Sequence, residues 1–345
     1  MKTVERNTNI ELLRFFLMVS ILIWHIIVHG YNLDKLGCDD FFYSGNIPVT
    51  FLLSSFTLPA TYCFVFISGY FGINLKIKRL VELVLACFVV SMCLVLIKKY
   101  IFSYEVDVRE LWDSFFPITN HKWWFMTAYI QLLILSPFLN AGMDVFSKSI
   151  KIKSLILIYC ISLFMLVSGK PNSGCTIWGI VFMYLLGRYL KVYANEVSPS
   201  RIKKVYLISF LLLFCILLGG YYFFDGIRFY KGQKILMIFI SYINPLIVLM
   251  AVCMFYVVLQ WKTWCNPILN KVLSANYFIY LLTEGFLDGW IYKRIVEVFK
   301  MNTLLGIASI VCVLLSCLFI GLFIQTVIFF CVEAIQKTLM SSKER

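Results

Sequence analysis

The sequence predicts an all-α protein, a polytopic transmembrane bundle of about ten helices. Of its 345 residues, 61% are hydrophobic and only 14% are charged, whereas soluble domains carry about 25% charged residues. Several apolar runs approach the roughly 20 residues that a helix needs to cross the hydrocarbon core of a bilayer. No linker or low-complexity tract interrupts the chain, so we expect residues 1–345 to form a single integral membrane domain.

The predicted spans follow one another along the chain as apolar runs. The first is the clearest, because Ser20 is the only polar side chain between Phe15 and Trp24. The fifth, sixth and ninth are the shortest. The ten spans cover residues 10–28, 49–71, 80–97, 123–139, 154–168, 177–189, 205–224, 235–258, 276–291 and 304–332.

Charged residues between the spans predict the orientation. Lysine and arginine are more frequent on the side of the N-terminus, and acidic residues collect on the other side, as in the loop around residues 98–122. Because basic loops stay in the cytoplasm, we expect a multi-pass cell-membrane protein with both termini cytoplasmic. The run 10–28 is too long for the core of a signal peptide and no small-residue cleavage site follows it, so none is expected.

Charge and cysteine content do not indicate a nucleic-acid or metal-binding protein. The net charge is +13, but the basic residues are spread over many loops, so nucleic acid is not an expected partner. Most of the twelve cysteines lie inside apolar runs, where they serve as small packing residues. The histidines at positions 25, 29 and 121 lack zinc-ligand spacing and no Cys-x-x-Cys pair occurs, so neither a metal nor a bound cofactor is expected.

Two ionisable residues lie inside the first predicted span. Arg14 and His25 are separated by ten uncharged residues, and ionisable groups within a lipid-spanning segment usually mark a functional site. Eleven helical positions turn through about 1100° and rise about 16 Å, so the two side chains share a face and differ in depth by about half a bilayer. Glu11, three positions before Arg14, is placed for an ion pair with it.

These residues have both plain and functional interpretations. Glu11 and Arg14 can form an interfacial pair whose arginine extends towards water, and His25 can be a hydrogen-bonded packing residue. Together on one face they also suit chemistry, because a neutral imidazole accepts a proton near pH 7 and a buried guanidinium binds a phosphate or a developing oxyanion.

The segment from Asn9 to His25, with its Arg, ten residues and His, resembles the first helix of the membrane-bound acyltransferase-3 family. Three further stretches match that family in order. They are Ser68-Gly69-Tyr70, the run Trp123-Trp124-Phe125 to Tyr129 continuing to Leu135-Ser136-Pro137-Phe138-Leu139-Asn140, and Asn276-Tyr277-Phe278-Ile279-Tyr280. The likeness covers nearly the whole chain, and it departs at Thr283, where many relatives carry a histidine. A hydroxyl cannot replace an imidazole as a base, so either that histidine is dispensable or Glu284 does part of its work.

The resemblance implies an O-acyltransferase that uses acetyl-CoA or another acyl-CoA as its donor substrate. Arg14, Lys78 and Arg79 are then candidates to bind coenzyme A, His25 to accept or relay a proton, and Glu11 to hold Arg14. Trp124, Tyr129, Tyr280 and Glu284 are candidates to bind substrate, although interfacial tryptophans such as Trp124 often only anchor a helix. The basic cluster is also typical of a topology signal that binds anionic lipid.

The predicted function is therefore transfer of an acetyl group to a hydroxyl of a cell-surface or lipid-linked glycan. The expected partners are that glycan, acyl-CoA and membrane lipids, and the sequence leaves open whether a covalent acyl-enzyme forms. A proton-coupled transporter and a polysaccharide polymerase or glycosyltransferase remain as alternatives. The pairs His29–Asp34 and Asp39–Asp40 are weak signals for a glycerolipid acyltransferase and a metal site, respectively.

Overall fold

The computed structural model describes residues 7–33, 46–168, 173–194, 198–223, 235–285 and 289–341, and it confirms the all-α class. These residues contain helices and no strand. The α-helices are α1 (Thr8–His25), α2 (Ile47–Thr57), α3 (Ala60–Phe71), α4 (Ile77–Tyr100), α5 (Val108–Phe115), α6 (Trp124–Val145), α7 (Lys148–Val167), α8 (Ile177–Tyr193), α9 (Pro199–Phe223), α10 (Ile235–Ile240), α11 (Pro245–Leu259), α12 (Pro267–Leu273), α13 (Tyr277–Glu284), α14 (Trp290–Met301) and α15 (Thr303–Ser341). A turn of π-helix, Ile26–Gly30, extends α1.

Eight helical stretches among the described residues are long and apolar enough to cross a membrane. They correspond to the predicted spans other than the sixth and the ninth. The eight are Thr8–Gly30, Ile47–Phe71, Ile77–Tyr100, Trp124–Val145, Lys148–Leu166, Pro199–Tyr222, Ile238–Leu259 and Thr303–Ile335.

The two remaining predicted spans take other forms. The sixth is α8, which has only 17 residues and is largely buried against α3, α6 and α7. The ninth is not one helix, because α13 ends at Glu284 and α14 begins at Trp290, after Gly289 in the left-handed conformation (φ 81°). A short apolar run fixes neither the length nor the continuity of a helix, which here depend on packing and on the turn at Gly289.

The centre of the bundle is formed by the close contact of α3 with α8. Gly69 of α3 lies so near the backbone of Tyr184 that an added Cβ would overlap the carbonyl group, and a Cβ at Gly187 of α8 would lie only 2.6 Å from the carbonyl oxygen of Phe66. Small residues let membrane helices approach closely where burial of apolar surface gives little driving force. The glycine of the Ser68-Gly69-Tyr70 motif therefore has a packing role.

Asn140, the last residue of the motif on α6, ties three elements together. Its Nδ2 donates to the carbonyl oxygen of Ile73 over 2.8 Å, and its Oδ1 accepts from the Tyr184 hydroxyl over 2.7 Å. The same hydroxyl accepts from the Ile73 N–H over 3.0 Å. These bonds satisfy the backbone between α3 and α4 and fix that connection beside α8.

The beginning of α1 is fastened to the segment before α12. Asn9 donates to the Lys262 carbonyl over 2.9 Å and accepts from the indole N–H of Trp264 over 2.7 Å. Thr8 adds a bond from its backbone N–H to the Trp264 carbonyl, over 3.0 Å. This anchoring fixes the position of the turns that carry Glu11 and Arg14.

Candidate functional site

A cavity of about 720 Å³ lies beside the N-terminal half of α1. Its size is that of sites that bind organic ligands. Its walls come from α1, α3, α4, α6, α13, α15 and the turn between α12 and α13. The polar residues that line it are Asn7, Glu11, Arg14, Ser68, Arg79, Glu82, Tyr129, Ser274, Asn276, Tyr277 and Gln325.

Glu11 and Arg14 form the expected ion pair in the wall of this cavity. Arg14 Nη1 lies 2.6 Å from Glu11 Oε1, and the exposed fractions of the two side chains are 26% for Arg14 and 4% for Glu11. The short distance and the burial of the carboxylate hold the guanidinium in one orientation, since a charge-assisted hydrogen bond strengthens away from water. Arg14 therefore presents a fixed positive charge to the cavity.

His25 belongs to a second polar group, deeper along α1. Its Nδ1 lies 2.9 Å from Glu284 Oε2, and 3.2 Å from the hydroxyl of Tyr292. The Tyr292 hydroxyl donates to Glu284 Oε2 over 3.1 Å. His25 and Tyr292 are almost wholly buried and the Glu284 side chain is 21% exposed, so three hydrogen-bonding side chains from three helices meet in a largely buried group.

His29 approaches the same carboxylate from the π-helical turn. Its Nε2 lies 3.9 Å from Glu284 Oε1, and its side chain is 38% exposed. The π-helical turn packs against α14, where Gly30 touches the backbone of Tyr292. Glu284 therefore lies between one buried and one partly exposed imidazole.

The cavity and the His25 group are separated by aromatic side chains. The cavity is lined by Phe125 and Tyr129 but not by His25. The ring of Tyr280 lies 6.0 Å from the His25 ring and 6.1 Å from the Phe125 ring, and Phe125 lies 6.0 Å from Tyr129, between ring centroids. A row of rings thus leads from the cavity to the imidazole.

The structure brings only some of the other candidates to the cavity. Arg79 and Tyr129 line it, and Tyr129 also lies 3.5 Å from Ser68 between hydroxyl oxygens. Lys78 instead has its ammonium nitrogen 4.5 Å from the centroid of the Phe329 ring and is not a lining residue. Trp124 stacks on Tyr242, with centroids 5.9 Å apart, also outside the cavity lining.

Thr283 has a local hydrogen bond. The Thr283 hydroxyl donates to the Ile279 carbonyl one turn back, over 2.6 Å, and the side chain is buried. The next residue, Glu284, contacts His25. The structure therefore places a carboxylate, rather than a replacement base, beside the imidazole.

A cysteine nucleophile and a metal site are two other ways in which the protein could carry out chemistry. Burial, with the Glu284 carboxylate as a second cause, raises the pKa of the Cys175 thiol to about 12, so the reactive thiolate is scarce at neutral pH. Among the described residues, no three His, Cys, Asp or Glu side chains are grouped to hold a metal ion. Asp34, Asp39 and Asp40 lie outside the described residues.

Two site residues were not among the candidates that the sequence indicated. Tyr292 lies eight positions after Glu284, in α14, and no pattern distinguishes it from the other tyrosines. Glu82 was also not a candidate, yet it lines the cavity with its carboxylate 3.5 Å from Arg79 Nη1. Its position three residues after Arg79 is the only signal that points to this pair.

Comparison with known proteins agrees with the sequence motifs. A family model described as an acyltransferase domain matches residues 7–324, which is most of the chain. No significant match was found to a curated protein or to a solved structure. The matched range contains His25, Glu284, Tyr292 and the cavity-lining residues from Asn7 to Tyr277, whereas the lining residues Gln325 and Phe329 lie just beyond it.

Proposed function

Because the chain belongs to the acyltransferase-3 family, we propose that this membrane acyltransferase moves an acetyl group from acetyl-CoA to a hydroxyl of a cell-surface or lipid-linked glycan. The observation that carries the proposal is that His25 contacts Glu284 and lies on α1, the helix that also lines the cavity with Arg14. In this proposal the His25–Glu284 pair supplies a base, and the cavity lined by arginine supplies an anion-binding site in the same bundle.

The cavity suits the donor because coenzyme A carries phosphates at one end and a thioester at the other. Arg79, near the start of α4, is exposed and lines the cavity, so its guanidinium can bind a phosphate. Arg14, held by Glu11, can orient the thioester carbonyl or stabilise the oxyanion that develops on it. With the N-terminus in the cytoplasm, this cavity faces the compartment that makes acetyl-CoA.

His25 is the base in this proposal. The Glu284 carboxylate accepts a hydrogen bond from Nδ1–H, which leaves Nε2 as the nitrogen that can take a proton. The acceptor hydroxyl oxygen bonds to the thioester carbon, and the carbon–sulfur bond breaks. The hydroxyl proton passes to Nε2 and then to the departing sulfur, so the products are an acetyl ester and the free thiol.

The aromatic row gives this reaction a path. Met18 lines the cavity, and His25 lies seven residues further along α1, a rise of about 10 Å. Rotation of the Tyr280 and Phe125 rings would open a passage along which the thioester can reach the imidazole. On the side of His29 the group is partly exposed, which suits an acceptor that arrives from the opposite surface.

The family match gives no support to the transporter or polymerase alternatives. The transporter alternative rests on ionisable residues within apolar spans, and acyl transfer accounts for the same residues. Trp124 has no cavity contact, so its contribution to glycan binding rests on the resemblance alone.

The test is acetyl transfer by purified protein in proteoliposomes with labelled acetyl-CoA, combined with glycan O-acetyl content in cells. His25→Gln should abolish transfer, and Arg14→Gln should raise the KM for acetyl-CoA. His121→Gln is the matched control, since His121 lies in an exposed turn. Normal transfer by His25→Gln at wild-type protein level would falsify the assigned chemistry.

A further inference from the structure

Two amide side chains in the cavity wall have polar atoms without a hydrogen-bond partner among the described residues. They are Nδ2 of Asn276, a donor, and Oε1 of Gln325, an acceptor. Asn276 is only 4% exposed. Buried polar groups are nearly always bonded, and the cost of leaving one unbonded is higher inside a membrane bundle, so a pair in one wall requires an explanation.

The positions of Asn276 and Gln325 indicate what could bind their free atoms. Asn276 precedes α13, where the chain turns from α12, and Gln325 lies on α15. Gln325 Nε2 donates to Ser274 Oγ over 3.4 Å, which places Gln325 beside the turn that carries Asn276. A cleft of about 340 Å³ shares Ser274, Gln325 and Arg79 with the main cavity, so Gln325 lies where the two spaces meet.

A free donor and a free acceptor in one wall are complementary to the carbonyl and the N–H of a secondary amide. We propose that Asn276 and Gln325 bind an amide of the pantetheine arm of the acyl donor. Asn276 Nδ2 donates to the amide carbonyl, and Gln325 Oε1 accepts from the amide N–H. This inference rests on the proposed function, because it takes an acyl-CoA as the ligand of the cavity.

The groups of the donor agree with the residues around the pair. In coenzyme A, two secondary amides separate the thiol from the phosphates. Arg79 is exposed and lines the cavity, and its guanidinium carbon lies 5.9 Å from the ring centroid of Tyr277, the residue after Asn276. Arg14 lines the same cavity from α1. An amide bound by Asn276 and Gln325 would therefore lie near a phosphate bound by Arg79, and Arg14 would remain available to the thioester.

The two amides can reach a ligand without movement of the helices. Their free atoms are shielded from solvent, although both residues line the cavity. The terminal torsion of Asn or Gln has a broad energy minimum, so each amide can turn towards a bound group. Burial strengthens the resulting bonds.

An N-acetyl group on the acceptor glycan carries the same amide chemistry, so the experiment separates the two sources. Transfer rates of Asn276→Leu and Gln325→Leu are measured at varied concentrations of acetyl-CoA, of S-acetylpantetheine and of acceptor. We expect each variant to raise the KM about tenfold for both donors and to leave the acceptor KM unchanged. That factor corresponds to one lost hydrogen bond in a buried site.

Two further variants are compared with the two leucine variants. Arg79→Gln should raise the KM for acetyl-CoA more than that for S-acetylpantetheine, which has no phosphate. Thr326→Val is the matched control, because Thr326 follows Gln325 but lines only the smaller cleft, and its hydroxyl donates to the Leu322 carbonyl over 2.7 Å. A raised KM for acceptor alone would assign the amides to the glycan and overturn the proposal.

Equilibrium binding of coenzyme A to the purified proteins distinguishes this inference from the proposed function. If the wild-type protein does not bind coenzyme A, the donor itself is wrong. If the wild-type protein binds it and both leucine variants bind it equally well, only the amide assignment is wrong. Thermal unfolding of each variant in detergent identifies a misfolded protein, and the second leucine variant then decides the outcome.

Discussion

Glu284 Oε2 lies 2.9 Å from Nδ1 of His25, although the two residues belong to opposite ends of the chain. This contact gives the imidazole a defined orientation, and in the proposed function it leaves Nε2 as the nitrogen that takes the proton. The carboxylate belongs to the residue after Thr283, which stands where the sequence resemblance predicts a histidine, and in the proposed function it supports His25.

Replacement of Glu284 by glutamine should lower the rate of acetyl transfer about 100-fold, the lower range of what a positioned base contributes. The amide keeps the shape of the side chain but removes the charge that stabilises the protonated imidazole. Single-turnover kinetics in proteoliposomes measures the effect. Glu297→Gln, an exposed glutamate paired with Arg294, is the control, and equal rates for the two variants would return Glu284 to a structural role.

Tyr292→Phe should reduce the transfer rate by about five- to tenfold, the value of one neutral hydrogen bond. The ring would continue to fill its buried position, while the bond to Glu284 would be lost and the carboxylate less well oriented. Tyr62→Phe removes another buried hydroxyl, which donates to the Gly174 carbonyl, and should leave the rate unchanged. A rate loss in both variants would point to general destabilisation instead.

Substitutions of Lys78 and Arg79 should change the KM for acetyl-CoA by different amounts, although the two residues are neighbours. Arg79 lines the cavity and Lys78 lies over the Phe329 ring, so Arg79→Gln should raise the KM for acetyl-CoA about tenfold and Lys78→Gln much less. Increasing ionic strength should narrow the difference, because salt screens exposed charges. Steady-state kinetics at two salt concentrations measures both effects, and a larger effect of Lys78→Gln would contradict the assigned site.

Gly69→Ala should destabilise the protein by about 1–3 kcal/mol, the usual cost of forcing extra volume into a packed interior. The new methyl group would overlap the backbone of Tyr184, so α3 and α8 would have to separate. Gly219→Ala introduces the same group on α9, where nothing lies within 4 Å. Thermal unfolding in detergent should show a lower Tm for the first variant only; an unchanged Tm would mean that the two helices adjust freely.

Both termini should face the cytoplasm. The reason is the excess of basic residues in the loops on that side of the predicted topology. Green fluorescent protein fused after Arg345 should fluoresce, and alkaline phosphatase fused there should remain inactive. The opposite pattern would reverse the proposed direction of the donor cavity.

The sequence determined the fold class and the first elements of the site. Apolar runs of membrane length predict helices because lipid cannot satisfy exposed backbone groups. The spacing of Glu11, Arg14 and His25 predicts their order along one helix because its geometry is fixed. The ion pair at 2.6 Å follows from that local geometry.

Contacts between distant segments could not be predicted in this way. The meeting of His25 with Glu284 and Tyr292 depends on the break between α13 and α14 and on the packing of the π-helical turn against α14. Lys78 lies over the Phe329 ring, whereas its neighbour Arg79 lines the cavity. This difference depends on the position of α15, which carries Phe329.

The sequence by itself thus determined a helical membrane protein with a cation and an imidazole in its first span. Only the tertiary structure decided which carboxylate contacts the imidazole and which basic residues line the cavity. It also decided which aromatic rings separate the cavity from the imidazole. The physical reason is that periodicity and hydropathy act within one helix, whereas the site is formed by side-chain packing between several helices.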